Sequence, residues 1–294
     1  MIQRTYTLEF LMPCFCAGAN QAHAEVRASS IRGQIRWWFR ALGGSASDER
    51  AVFGGVAGDA STSALTIRID AVKRGPEWKL PKPLDIASNA YVYYFASVSG
   101  ASQRGTIGLR WTEKGVIPPK STFCLTILQR RTLTQPLQQQ LDRALECFLQ
   151  LGAIGLRVSR GLGSFVCYES PFKQTILDDI RQFDFRTESH PTPLNSEDQI
   201  AREIGSLLKG TRKATGYKYD APSPFGASNP RQTSAVYFRP VRSQSPSGNC
   251  ILVIFEAPHQ RVLGQASRKQ LVVGQTPSRF VKPAPGSVRG RGYR

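Results

Sequence analysis

Plotted at helical period, Ile31, Ile35, Trp38, Phe39 and Leu42 fall on one narrow stripe of residues 27–42, while Arg32, Arg36 and Arg40 line up at i, i+4 and i+8 on another face. The spacing predicts a helix that buries one face and offers the other to an anion. Ser29 and Ser30 are the expected N-caps. Gly33, expected in the first turn, costs about 1 kcal/mol of helix propensity and removes a side chain where an anion would approach the free amides. Trp37 lies off the stripe, between the core face and the arginines, where an indole serves as a stacking platform or meets another subunit. No acid stands between Glu25 and Asp48, so the arginine charges are expected to be balanced from outside the segment, with Glu49 as a salt-bridge partner for one of them.

The same patterning predicts strands over 2–10, 64–72, 91–98 and 122–129, and again over 164–168. Tyr91, Tyr93 and Phe95 would then share a strand face as a buried ladder. A second helix is expected from Thr134 to Leu151, with Leu137, Leu141, Leu145 and Phe148 at helical spacing, Pro136 in the first turn and Gly152 as the stop. Strand, helix, strands, helix, strand is the split βαβ, ferredoxin-like order. Residues 99–120, rich in Gly and Pro, read as an excursion from the sheet. Beyond residue 170 a helix near 196–209, a Pro/Gly/Ser loop over 221–230 and strands near 233–242 and 250–257 suit a second, smaller unit. The expected fold is therefore α+β, with tandem ferredoxin-like (RRM-like) domains over 1–169 and 170–260, the second reduced or irregular. Residues 261–294 carry eight Lys and Arg and no acid, and are expected to be a partly disordered basic tail.

A chain of 294 residues with a formal charge of +18 points to a polyanionic partner, nucleic acid first. No apolar run approaches the ~18 residues of a membrane span, so no membrane partner is expected. The first ten residues alternate like a strand and do not resemble a leader. Cys14, Cys16, Cys124, Cys147, Cys167 and Cys250 stand in apolar company without ligand spacing, which predicts free thiols, no metal, no cofactor and a reducing cytoplasm. The Lys/Arg-Gly-aromatic strand pattern by which RRM domains read bases is missing, so binding by loops and helix ends with little sequence reading is expected.

The stretch Gly152-Ala-Ile-Gly-Leu-Arg-Val-Ser-Arg-Gly-Leu-Gly-Ser-Phe165 places four glycines between the second helix and the last strand of the first unit. It lacks the lysine of a Walker loop and the spacing of a dinucleotide turn. Its amides could approach a phosphate, with Arg157 and Arg160 supplying charge and Ser159 and Ser164 hydroxyl donors. Together with this loop, the arginine helix and the following Glu49-Arg-Ala-Val-Phe-Gly54 resemble the RAMP superfamily of CRISPR effector subunits, and specifically the first-subunit family of the type III-B Cmr RNA-targeting complex. The chain is short for that family, which implies a trimmed second domain.

The resemblance implies a non-catalytic, single-copy subunit at the end of a helical effector, holding CRISPR guide RNA near its 3′ end and assisting capture of single-stranded target RNA beside other RAMP subunits. It carries over Arg27, Ser29, Ser30, Arg32, Gly33, Arg36 and Arg40 as a helix-borne RNA surface, and Gly155, Arg157, Ser159, Arg160, Gly161 and Gly163 as a loop-borne one; Trp37 joins them on its position. Two alternatives remain at this level. One is a metal-independent guide-processing endonuclease using His23 as acid/base with Arg27 supporting the phosphorane. The other is a basic structural subunit of a different ribonucleoprotein.

Overall fold

The computed structural model describes residues 1–20, 22–55, 60–79, 89–93, 115–214, 224–228, 231–244 and 248–262. Alternating residues build β1 (Ile2–Phe10). The arginine segment forms α1 (Ala28–Ala41), followed by α2 (Ala46–Phe53), β2 (Leu65–Lys73), the single turn α3 (Ala90–Tyr93), β3 (Thr122–Gln129), α4 (Gln135–Leu151) and β4 (Phe165–Cys167). The four strands are antiparallel in the order β2-β3-β1-β4, which is the ferredoxin-like topology expected from the element order. Period-two alternation sends Leu8, Phe10, Leu65, Phe123, Leu125 and Ile127 into one core with the apolar stripes of α1 and α4.

α1 ends in a Schellman motif, with Gly43 at φ +92° and its N–H on the Arg40 carbonyl, and the Gly44 N–H on the Phe39 carbonyl, both at 2.9 Å. Gln140 of α4 donates to the carbonyls of Phe39 and Leu42 at 3.1 Å, fastening the C-terminal end of α1 to the neighbouring helix.

The chain continues through α5 (Thr175–Arg181), β5 (Arg186–Leu194), α6 (Glu197–Ala214), the short pair β6 (Ala227–Ser228) and β7 (Arg231–Gln232), β8 (Val236–Arg242), β9 (Cys250–Glu256) and α7 (His259–Val262). β5, β9 and β8 form a second antiparallel sheet in that order. Among the described residues, strand, helix, strand, strand with the last strand central is the ferredoxin-like order up to its third strand. Both its faces are buried. Tyr237, Val241, Val253 and Phe255 enter the first core, and Val236, Phe238, Leu252 and Ile254 pack with Ile204 and Leu208 of α6. Trp38 of α1 stacks on Phe185 at 5.7 Å and tilts against Phe255 at 5.3 Å, so α1 is packed by both sheets.

One expected strand is corrected. Residues 90–93 form a helical turn, with the N–H groups of Val92 and Tyr93 on the Asn89 carbonyl at 3.0 and 3.1 Å and Tyr93 buried beside Trp78. Burial against α6 overrides the strand preference of the Tyr-Val-Tyr run, so Tyr91 and Tyr93 form no strand ladder. The remainder of that strand, most of the 99–120 excursion, part of the 221–230 loop and the tail beyond 262 lie outside the described residues.

Candidate nucleic-acid interface

α1 opens on Arg27, which corrects the expected serine caps. An antiparallel bridge between Ala17 and Ala24, and the Glu25 N–H on the Cys16 carbonyl at 2.8 Å, keep the chain extended up to Arg27 (φ −115°, ψ 131°). The Arg27 carbonyl accepts from Ser30 and Ile31, and no side chain caps the helix. Ser29 and Ser30 thus lie inside the first turn. Gly33 stands in the second turn, not the first, facing open space where a Cβ would be. With neither a capping side chain nor an acid in its first turn, α1 opens on free amides and the positive end of its dipole, which favour an anion there.

Beside this end runs the segment Cys14-Phe15-Cys16. Cys16 Sγ lies 3.5 Å from Ser30 Oγ, and the Phe15 carbonyl accepts the Leu156 N–H of the glycine-rich loop at 2.9 Å. The start of α1 and the tip of the loop therefore stand on either side of one strand of backbone. Gly155 (φ +93°) permits this approach, since a Cβ there would fall 2.7 Å from the Phe15 carbonyl oxygen. Leu156 and Arg157 are exposed at the tip, and Arg157 adopts φ +56°. Arg27, about half exposed, bonds the Ala17 carbonyl at 3.3 Å and pairs with Glu25 at 3.4 Å. The hydrogen bond from Cys14, then Ser30 and the Arg27 charge, hold the Cys16 thiol down to about 6 against the effect of burial, whereas burial pushes Cys14 well up.

The arginine ridge faces α2. Arg36 donates to Glu49 through Nε at 2.8 Å, Arg40 reaches the same carboxylate oxygen at 3.0 Å, and Arg32 bonds the Phe53 carbonyl. Glu49 was expected to pair with one of these arginines; α2 folds it back onto the ridge, where it pairs with two. Arg50 joins Arg32 and Arg36 in lining a groove of about 510 Å³ with Phe53, Gly54 and Ser61. Three arginines, Arg32, Arg36 and Arg50, line the groove with the single carboxylate of Glu49, which Arg40 reaches as well, so the groove keeps a cationic surplus. Arg50 was not singled out in the sequence, although it sits in the Glu49–Gly54 block.

Several expected contact residues are accounted for otherwise. Trp37 meets Trp38 and Tyr237 edge-on at 5.0 Å each, in the join between the sheets rather than among the arginines. Arg160 is 5% exposed and donates to the Phe225 carbonyl at 3.1 Å, which corrects its assignment to the RNA surface. The Ser159 carbonyl accepts the Phe238 N–H, and Ser164 is fully buried. Gly161 and Gly163 are buried at φ +79° and +65°; a Cβ at Gly163 would lie 1.9 Å from the Ile154 carbonyl oxygen, so packing and backbone conformation, not phosphate access, require them. His23 bonds Asn20 at 3.0 Å and lines a separate pocket with Arg74, Glu77 and Trp78.

Among the described residues no cluster of three His, Cys, Asp or Glu could hold a metal, and no helix is long and apolar enough to cross a membrane. The six cysteines are free.

A ferredoxin-like unit with a glycine-rich loop between its second helix and last strand defines the class. The model of the RAMP superfamily matches residues 7–166, more than half of the chain, and the chain belongs to that superfamily. It is similar to the CRISPR system Cmr subunit Cmr1-1 of Pyrococcus furiosus, 27% identical over 229 residues that cover 74% of this chain and 57% of that protein. It is also similar to Cmr1-2 of the same organism, 25% identical over 183 residues, covering 56% of this chain and 94% of that one. The chain thus spans little more than half of the longer of these two relatives. The crystal structure of Cmr1 from Pyrococcus furiosus in its apo form shares the fold, with a TM-score of 0.54, 19% identity and 88% of each chain covered.

Proposed function

We propose that this protein is a non-catalytic RNA-binding subunit of a type III-B CRISPR effector in the cytoplasm, holding guide RNA near its 3′ end and assisting capture of target RNA beside other RAMP subunits. The observation that carries this reading is the convergence of the uncapped start of α1 and the exposed tip of the glycine-rich loop across Phe15–Cys16. The groove lined by Arg32, Arg36 and Arg50 extends the cationic surface. Similarity to Cmr1-1 supports the assignment to an effector, and the formal charge of +18 supports a polyanionic ligand. The working surface is Arg27, Ser29, Ser30, Arg32, Gly33, Arg36 and Arg40 with Gly155 and Arg157. The domains are taken as 1–169 and 170–260, followed by a basic tail over 261–294.

If this surface neutralises about six phosphates of single-stranded RNA, log K should fall against log salt with a slope near −4, from ~0.7 per contact. The triple variant Arg32→Ala/Arg36→Ala/Arg157→Ala should bring that slope toward −2; an unchanged slope removes the surface from RNA binding. Purification from a host carrying a CRISPR array should bring guide RNA and other RAMP proteins with the chain. Loss of single-turnover RNA cleavage in His23→Ala would replace this reading by the nuclease one.

A further inference from the structure

Arg239 of β8 is 2% exposed, and the contacts of its guanidinium are carbonyl oxygens and aromatic rings. Nε donates to the Leu151 carbonyl at 2.8 Å, and Nη1 donates to the carbonyls of Val158 and, at 2.9 Å, Phe238. The rings of Tyr237 and Phe255 lie 5.3 and 5.6 Å from its central carbon. Burial pushes this guanidinium down to about 10. A cation buried on backbone carbonyls is costly unless its donors find acceptors, and here two donors go to the segment 151–158 and one to Phe238 of its own strand. Leu151 ends α4 and Val158 follows the loop tip, so one side chain of the second sheet clasps the first half of the glycine-rich loop on both sides of its tip.

Other contacts join the same two parts. The loop pairs with β8 through a parallel bridge between Arg160 and Phe238, with the Phe238 N–H 3.3 Å from the Ser159 carbonyl. A Cβ on Gly161 would fall 2.7 Å from Ile204 of α6. Between the clasped carbonyls stand Gly155 and Arg157, both at positive φ, and the 40% exposed Leu156. A non-glycine residue in the left-handed region persists only where its surroundings over-determine it.

We propose that Arg239 is a positioning residue for RNA binding: by holding the carbonyls of Leu151 and Val158 it fixes the loop tip, and with it the Arg157 side chain, in the conformation that meets the RNA strand. This rests on the reading of the tip as part of the RNA surface. It assigns the second sheet a part in RNA binding through a residue that touches no RNA.

The test is a double-mutant cycle on the full-length chain with a fluorescent single-stranded RNA, using Arg157→Ala, Arg239→Met and the pair, alongside amide hydrogen exchange over residues 152–160. Arg157→Ala should weaken binding about three- to tenfold, as loss of one charge-assisted phosphate contact. Arg239→Met should weaken it by a similar factor and speed exchange in the loop, and the double variant should bind no more weakly than Arg239→Met alone. Multiplicative losses, or full affinity in Arg239→Met, would overturn the proposal. If Arg157→Ala binds RNA normally, the RNA reading of the tip fails; unchanged exchange in Arg239→Met separately refutes the clasp. Should Arg239→Met not fold, Arg239→Lys carries the same cycle: it keeps the charge but cannot reach all three carbonyls, and should show a smaller loss and the same non-additivity.

Discussion

Replacing Glu49 by Gln tests whether the ridge of α1 competes for phosphate. The Glu49 side chain is 11% exposed, while its partners Arg36 and Arg40 are 39% and 45% exposed, so both pairs sit at the water boundary and are screened. Each is then worth about 0.5 kcal/mol, in the range of exposed ion pairs. An RNA strand in the groove must divert both arginines from Glu49, a cost of about 1 kcal/mol that Glu49→Gln removes. Affinity should rise about fivefold at physiological salt, since 1.4 kcal/mol corresponds to tenfold. Arg36 and Arg40 meet phosphate with either residue at position 49, so the salt slope should stay near about −4. Fluorescence anisotropy titrations of single-stranded RNA over a salt series read both quantities. Equal or weaker binding in a variant with unchanged circular dichroism and thermal midpoint would refute the reasoning, because the groove would then not be where the strand lies.

Gly33→Ala should stabilise the protein by about 1 kcal/mol, or about 2–4 °C in thermal midpoint, because the position is helical and open; any accompanying loss of RNA affinity would mark close approach of the strand there. Gly163→Ala should instead destabilise it by more than about 2 kcal/mol, combining a left-handed backbone with collision against the Ile154 carbonyl, and a neutral outcome in thermal melts would contradict the loop geometry. Cys16 should show a titration midpoint near 6 in pH-dependent alkylation, absent in Cys16→Ser. Because its folded value lies below that of an unfolded thiol, about 8.5, its stabilising contribution is complete above that range and is lost as pH falls through 6. A midpoint near 8.5 in the native protein would exclude the proposed contacts to Cys14, Ser30 and Arg27.

Periodic burial made the first unit legible. The stripe Ile31, Ile35, Trp38, Phe39 and the alternation in β1 and β3 each record a local face that must bury, and local faces repeat along the chain. Features set by distant contacts were not legible. α3 is helical because α6 and Trp78 cover it, although its own residues favour a strand. β5 contains Pro191 and Pro193, which argue against a central strand, and it is found at a sheet edge with its register broken between His190 and Leu194. In the candidate site, the glycine-rich loop was visible as composition, but which glycines face outward was not. Gly155 supports the exposed tip, while Gly161 and Gly163 serve the packing of β8 and Ile154. Arg160 and Arg157 are equivalent in sequence and opposite in structure, because β8, some 80 residues away, pairs with one side of the loop only.

Among the described residues the second sheet has three strands, and the edge at β5 is poorly suited to a fourth. In the first sheet the fourth strand pairs with the outer side of β1, so a fourth strand here would pair with the outer side of β5. Prolines at 191 and 193 withdraw two backbone donors from that strand, and its register is broken between His190 and Leu194. Among the described residues no strand occupies this edge. The opposite edge is β8, and what closes it is the glycine-rich loop of the first unit through Ser159 and Arg160. One edge is therefore guarded by its own prolines and the other is covered by a neighbouring loop, so the loop contributing to the candidate RNA surface cannot move independently of the sheet behind it.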